Sequence, residues 1–279
     1  MQSKLEKLKL ILQDGGRTLV AYSGGVDSVL LAQVAHAVLG NDALAVIADS
    51  PRLPRRELAD ALQLGEQFGF PVRVIQTREM ADENYASNPS NRCYFCKTEL
   101  FGALTKMAQA EGWQTIVYGE NASDNGDYRP GLQAAAEFRV SAPLKEAGLT
   151  KPEIRALSAQ AGLPTADKPQ MACLSSRIPY GERVTDRALG MIEAAENVLR
   201  DLGFREVRVR HHAGGSQAGC LARIEVASDD LPRLLTGGVR ELVLAELGKI
   251  GYTYVTLDLA GYRRGSLNET LVKRQGVES

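Results

Sequence analysis

The stretch Leu19-Val20-Ala21-Tyr22-Ser23-Gly24-Gly25-Val26-Asp27-Ser28 limits the possible folds more than any other part of the chain. Four apolar residues read as a buried strand, Ser23-Gly24-Gly25 as a tight turn, and the apolar positions from Val29 to Val38 recur at helical spacing. A strand that passes through glycines straight into a helix is the opening unit of an α/β fold. Gly24 and Gly25 let backbone N–H groups approach a ligand closely. With the hydroxyls of Ser23 and Ser28 and the positive end of the helix, they form a cradle for phosphate. The bland alternative is an ordinary strand-to-helix turn. No Gly-Lys-Ser or Gly-Lys-Thr closes the turn, so it is not a Walker-type loop. A carboxylate at Asp27 would by itself repel phosphate, and it is read as holding Mg²⁺ against the phosphates.

Further apolar runs follow at Ala43 to Ala48, Val72 to Ile75, Thr115 to Tyr118 and Val140 to Leu144, separated by helical patterns at Pro54 to Phe68 and Phe95 to Glu111. A short amphipathic helix over Leu5 to Leu12 precedes the first strand, and a helix over Lys151 to Ala161 follows the last. This alternation predicts a parallel sheet with helices on both faces, whose ligand lies at the carboxyl ends of the strands. After Pro164 the pattern breaks into a loop from Asp167 to Gly181 with two prolines. Beyond it come a helix over Asp186 to Leu202, strands at Glu206 to Arg210 and Leu221 to Val226, helices over Asp230 to Leu235 and Val239 to Leu247, and a strand at Tyr252 to Leu257. That order predicts a smaller α+β domain with a mainly antiparallel or mixed sheet. The boundary is expected near Tyr180, giving domains 1–180 and 181–279.

The net charge of −1 over 279 residues exerts no overall pull toward nucleic acid or an anionic membrane. No window approaches the roughly 18 apolar residues of a membrane span, and the start lacks a signal-peptide core, so a cytoplasmic protein is expected. Four cysteines in a chain of this size do not form a disulfide framework.

Cys93-Tyr94-Phe95-Cys96 reads as a C-x-x-C pair just before a helix, and its spacing leaves open a redox pair, half of a zinc site or two ligands of an iron–sulfur cluster. Arg92 and Lys97 beside it favour thiolates. Cys173 falls in the loop before the second domain, and Cys220, at the start of a strand, reads as a structural thiol. The stretch from Tyr118 through Gly119 to Gly131 follows the fourth strand, so its acids Glu120, Asp124 and Asp127 are candidates to order Mg²⁺ or an activated intermediate, with Arg129 meeting an anion. Arg208 and Arg210 alternate with valines and project from one face of a strand, as a solvated pair or as an anion clamp. Asp258 and Arg263 lie in a further charged cluster. His211 and His212 read as surface residues and His36 as a helix-packing histidine; no histidine is placed to activate a serine.

The string Ser-Gly-Gly-Val-Asp-Ser resembles the pyrophosphate loop of the ATP pyrophosphatase (PP-loop) group, enzymes with an adenine nucleotide alpha hydrolase-like fold that adenylate a substrate and release pyrophosphate. Nearly the whole chain resembles one branch, the LarE-type ATP-dependent sulfur transferases. The resemblance runs through Gly126-Asp127-Tyr128-Arg129-Pro130-Gly131-Leu132, Ser175-Ser176-Arg177-Ile178-Pro179-Tyr180-Gly181, Val207-Arg208-Val209-Arg210 and Asp258-Leu259-Ala260-Gly261-Tyr262-Arg263. It implies adenylation of carboxylates of pyridinium-3,5-biscarboxylic acid mononucleotide and their conversion to thiocarboxylates for a nickel-pincer cofactor. It implies that Ser23, Gly24, Gly25, Asp27, Ser28, Gly119, Asp127 and Arg129 bind ATP with Mg²⁺. Arg208, Arg210 and Arg263 would grip the mononucleotide phosphate or carboxylates, and Ser176 and Arg177 would line the same pocket. By the same resemblance Glu196, Glu225 and Asp230 match acidic positions of the second domain and are expected to bind the substrate, and Lys97 would lie near the activated acyl group.

The family supplies sulfur either from a sacrificed cysteine or from a 4Fe-4S cluster on three cysteines. Cys93, Cys96 and Cys173 match the cluster pattern. The sacrificial cysteine stands five residues before the Arg of Ser-Ser-Arg, where this chain has Ala172; Cys173 is four before Arg177. The resemblance also implies a homo-oligomer acting on a small molecule, with no nucleic acid partner and no membrane. The nearest rivals are a transfer-RNA thiolase of the same ATP group and a non-catalytic nucleotide-binding iron–sulfur sensor.

Overall fold

Strand β1 (Thr18–Tyr22) is buried along its whole length, and its side chains alternate between two cores. Val20 and Tyr22 face one; Leu19 and Ala21 face the other. A strand with apolar residues on both faces belongs in the middle of a helix-covered parallel sheet. A computed structural model provides this architecture and describes residues 1–124, 130–169, 172–214, 219–263 and 265–268.

The first of two compact units comprises residues 1–85 and 91–171. Its elements are α1 (Gln2–Asp14), β1, α2 (Val26–Leu39), β2 (Ala43–Asp49), α3 (Arg55–Phe68), β3 (Val72–Gln76), α4 (Glu83–Ala86, at the unit boundary), α5 (Arg92–Glu111), β4 (Thr115–Tyr118), α6 (Gly131–Glu137), α7 (Pro143–Glu146) and α8 (Lys151–Gln160). The strands pair in parallel in the order β3-β2-β1-β4. One core gathers Val20, Ala45 and Ile47 with residues of α1, α2, α3, α7 and α8, among them Leu8, Leu31, Leu64 and Leu157. The opposite core gathers Leu19, Leu44 and Val46 with Phe101, Leu104 and Ala134 of α5 and α6. Burying each such large side chain contributes about 1.5–3 kcal/mol.

The expected fifth strand at Val140 to Leu144 reduces to a single parallel bridge between Val117 and Ser141, because α7 begins at Pro143. Helix α5 starts at Arg92 rather than Phe95, so Cys93 and Cys96 stand in its first turns and not ahead of it.

The second unit comprises residues 86–90 and 172–279. It contains α9 (Asp186–Asp201), β5 (Val207–His212), β6 (Cys220–Val226), α10 (Leu231–Leu234), α11 (Val239–Ile250) and β7 (Tyr252–Leu257). The sheet is mixed: β5 and β6 are antiparallel, β6 and β7 parallel. Val207, Val209, Ile224 and Val226 pack on Leu199 of α9 and Leu247 of α11. Cys220 packs against this core.

The units divide between residues 171 and 172, ahead of Tyr180, and residues 86–90 join the second. Asn88 accounts for that join. Held at φ +59°, it donates through Nδ2 to the carbonyls of Pro179 (2.7 Å) and Glu182 (2.9 Å), while its own carbonyl accepts from the Gly181 N–H (2.9 Å).

Candidate active site

The turn between β1 and α2 is built by two glycines and two serines. Gly24 has φ +70°, and a Cβ there would lie 2.9 Å from the Cβ of Ala61 on α3. Only glycine fits both the backbone angle and the space. Gly25 caps α2 in an extended conformation, and its carbonyl accepts from Val29 N–H (2.9 Å) and from the Ser28 hydroxyl (3.0 Å). The Ser23 N–H donates to Ser28 Oγ at 3.1 Å, and the two serine hydroxyls lie 3.1 Å apart. Behind the turn, Lys168 Nζ bonds Glu57 Oε2 (2.8 Å) and the Gly24 carbonyl (3.4 Å), and the Tyr22 hydroxyl donates to the Ala61 carbonyl (3.0 Å). The loop is therefore fixed in shape before a ligand arrives. The end of β4 closes on it from the side: a Cβ on Gly119 would stand 3.1 Å from both Asp27 Cβ and Ser28 N.

In front of this loop lies a cavity of about 430 Å³ whose wall includes Ser23, Asp27, Ser28 and Gly119 together with Cys93, Cys96 and Lys97. The sequence-predicted nucleotide loop and the thiol pair thus share one space at the strand ends. Cys93 is exposed and Cys96 partly buried. At helical spacing Cys93, Cys96 and Lys97 fall on one face of α5. The Lys97 ammonium lies 5.3 Å from the ring centroid of Phe101 and 5.9 Å from that of Tyr118. Burial, reinforced by the Arg52 charge, pushes it below the ordinary lysine range against the opposing pull of Cys96 and Cys93.

Several cavity residues have partners that the sequence did not announce. Asp27, read as a Mg²⁺ ligand, is ion-paired to Lys151 at 2.5 Å through Oδ2 and accepts from Asn121 Nδ2 at 3.3 Å through Oδ1. Glu120 accepts from the Tyr118 hydroxyl and from Lys145 Nζ (2.6 Å), and Asp124 accepts from the Asn121 N–H (3.1 Å). Arg52 reaches the cavity wall from the loop after β2, braced by the buried Glu79 at 2.5 Å, which also takes the Ser50 hydroxyl at 2.7 Å. Burial opposes ionisation of Glu79, but the Arg52 charge and the bond from Ser50 outweigh it and hold the carboxyl below its ordinary range. Lys151, Asn121, Arg52 and Lys145 are absent from the sequence-based candidates. Only the Thr150-x-x-Glu153 capping box, which fixes the start of α8, gave a local signal for Lys151. Asp127 and Arg129 lie outside the described residues. Among the described residues no three His, Cys, Asp or Glu side chains are assembled as a metal site.

The second unit carries the other candidates, and burial sorts them. Arg177 (1% exposed) makes a two-pronged pair with Glu196 (0%), at 2.7 and 3.0 Å. Its Nη1 donates to Ser176 Oγ (2.9 Å) and to the carbonyls of Ala172 (2.7 Å) and Cys173 (3.0 Å). Glu196 also accepts from Arg200 (2.9 Å) and the Val209 N–H (3.1 Å). Arg210 makes the same fork with Glu225, both contacts 2.9 Å, and donates to the Ser176 carbonyl (2.7 Å) and Ser266 Oγ (2.7 Å). Glu196 and Glu225 were expected to face substrate; instead both are fully enclosed and hold arginines.

Arg208 differs. It lies over the Tyr262 ring at 5.1 Å, donates to the Val207 carbonyl (3.1 Å), and pairs with no carboxylate among the described residues. Burial, then the Arg177 charge, pushes its guanidinium down to about 10. The Glu196 charge pulls the other way, but Glu196 makes no hydrogen bond to it, so Arg208 is a candidate position for an anion. Asp230 caps α10 and meets Arg233 at 3.4 Å, and Arg263 stands 3.7 Å from Asp258. His211, expected at the surface, is buried against Tyr252, with Nδ1 3.2 Å from the hydroxyl. His36 Nδ1 lies 3.0 Å from the Gly40 carbonyl at the end of α2.

No family model matches the chain. It is 45% identical over 277 residues to an uncharacterized protein of Synechocystis, covering 98% of this chain and 100% of that one. It is 36% identical over 276 residues to the pyridinium-3,5-bisthiocarboxylic acid mononucleotide synthase of Lactiplantibacillus plantarum, covering 99% and 97%. A shorter match, 32% identical over 198 residues, links 55% of this chain to 53% of the tRNA-specific 2-thiouridylase MnmA of Thermus thermophilus.

Proposed function

The chain belongs to the LarE-type ATP-dependent sulfur transferases of the PP-loop group, and from that premise we propose that it activates the carboxylates of pyridinium-3,5-biscarboxylic acid mononucleotide with ATP and replaces them with thiocarboxylates for a nickel-pincer cofactor. The observation that carries this reading is the shared cavity: the phosphate loop and the Cys93–Cys96 pair line one space of about 430 Å³. Activation and sulfur delivery must meet at one carbon, since an acyl adenylate exposed to water is hydrolysed.

A carboxylate resists attack because its leaving group would be oxide, and adenylation replaces oxide with AMP. The amides of Gly24 and Gly25 and the start of α2 would face the phosphates and offset charge growing on pyrophosphate. Asp27, a hard oxygen donor at the loop, suits Mg²⁺ shared with phosphate oxygens. Lys97, with its lowered proton affinity, sits beside the thiols where the acyl group would lie. Arg208 offers its cation to the phosphate of the mononucleotide, with Arg177 and Arg210 braced around it. Sulfur would come from a 4Fe-4S cluster held by thiols of this chain, of which Cys93 and Cys96 stand on the cavity wall as soft donors one helical turn apart. When bound, the cluster would supply sulfide that is nucleophilic at neutral pH.

Anaerobic incubation with Mg²⁺, ATP, sulfide and the pyridinium acid tests the reading. Pyrophosphate, AMP and the thiocarboxylated mononucleotide should appear together, with iron and sulfide bound to the protein. Pyrophosphate release with transfer RNA but not with the pyridinium acid would overturn it.

A further inference from the structure

Among the described residues, two cations stand on the wall of the nucleotide-and-thiol cavity: Lys97 from α5 and Arg52 from the loop after β2. Arg52 is braced from behind. Glu79 accepts its Nε–H at 2.5 Å and the Ser50 hydroxyl at 2.7 Å. The Glu79 side chain keeps 1% of its exposure and that of Arg52 17%, so the pair turns its cationic end toward the cavity. A guanidinium carries five N–H donors in one plane, and a buried partner at Nε fixes that plane. Lys97, by contrast, is a point charge on a flexible stem, and burial followed by the Arg52 charge lowers its proton affinity.

The two carboxylates of the pyridinium acid make different demands on such cations. The one being adenylated ceases to be an anion, so a cation locked onto it would stabilise the ground state more than the transition state. The other stays ionised throughout, and a permanent, planar cation held in one orientation suits it. Of the two cations, Arg52 has those properties. We propose that Arg52 holds the carboxylate that is not being activated, in a two-pronged pair, and thereby sets which ring position faces the phosphate loop and the thiols. The two groups diverge from one ring, so anchoring one of them aims the other. This role for Arg52 rests on the pyridinium acid being the substrate, and it names a contact for the half of that substrate on which no chemistry occurs.

Removing Arg52 alone would strand the buried Glu79 charge, so Arg52→Gln is combined with Glu79→Gln. Pyrophosphate release is followed anaerobically with Mg²⁺, ATP and sulfide, using either the bis-acid or pyridinium-3-carboxylic acid mononucleotide, which lacks one carboxylate. The wild-type chain should favour the bis-acid by about tenfold to a hundredfold in kcat/KM, the range that hydrogen bonds to a charged group supply. In the double variant that ratio should fall below about threefold, while ATP affinity measured by calorimetry stays within about twofold of the wild type. An unchanged ratio would overturn the proposal and leave the function above intact. A parallel loss of ATP affinity would also overturn it, because Arg52 would then serve the nucleotide. Release with neither acid by the wild type would overturn the function above and the role of Arg52 together. If the double variant does not fold, arginine labelling of the wild-type chain with a dicarbonyl reagent decides the matter. The bis-acid should protect Arg52 and the pyridinium mononucleotide lacking both carboxylates should not; equal labelling under both would contradict the pairing.

Discussion

The charges of the first unit's cavity and those of the second unit's arginine array are organised in opposite ways. Arg177 and Glu196 retain 2% and 0% of their side-chain exposure, and each has several further hydrogen bonds. Lys151 and Asp27 retain 28% and 20%. A sealed ion pair cannot change partners without stranding a charge in a dry environment, whereas a half-exposed one can. The array is scaffolding around Arg208, which among the described residues pairs with no carboxylate; in the cavity, the Lys151–Asp27 pair stays open to solvent.

That contrast predicts graded consequences. The largest belongs to Glu196→Gln, which leaves Arg177 and Arg200 without their carboxylate; urea unfolding should show a loss of about 3–5 kcal/mol. Glu225→Gln should cost somewhat less, about 3 kcal/mol, because Arg210 keeps its bonds to Ser176 and Ser266. If either proves neutral, the array is not the rigid support described here.

Gly24→Ala should lower stability by about 1–2 kcal/mol, from the positive φ and the contact with Ala61, and should abolish detectable ATP binding by isothermal calorimetry. Arg208→Gln should shift stability by less than about 1 kcal/mol. Inorganic phosphate should raise the melting temperature of the wild type and not of this variant, since an anion relieves the desolvated guanidinium.

The smallest effect is at the cap of α8. Lys4 and the Thr150 groups hold the Glu153 carboxyl down at about 2. Its contribution is present above its ordinary value of 4.5 and is lost as pH falls toward 2. Glu153→Gln should remove that part of the acid dependence of the melting temperature and leave the rest of the curve in place.

The backbone of the site was legible in the sequence because its signals are local. Ser23-Gly24-Gly25 between an apolar run and a helical pattern announces a strand, a turn and a phosphate cradle within ten residues, and the alternation of later segments announces the parallel sheet. Partnerships over long sequence distances were not legible. Lys151 is 124 residues from Asp27, and Glu196 is 19 from Arg177. Glu196 and Glu225, expected from the resemblance to bind substrate, are buried against arginines, and residue type carries no record of burial. Helix α5 begins at Arg92, three residues before the apolar pattern starts, behind an N-cap Asn91 whose side chain makes no capping hydrogen bond.

The central claim is that one cavity both activates the acid and passes it sulfur, and the double variant Cys93→Ala/Cys96→Ala tests it most directly. Rapid quenching after mixing the anaerobic protein with Mg²⁺, ATP and the pyridinium acid should show pyrophosphate released at the wild-type rate and acyl adenylate accumulating with no thiocarboxylate. Thiocarboxylate formed over repeated turnovers by that variant would contradict the account.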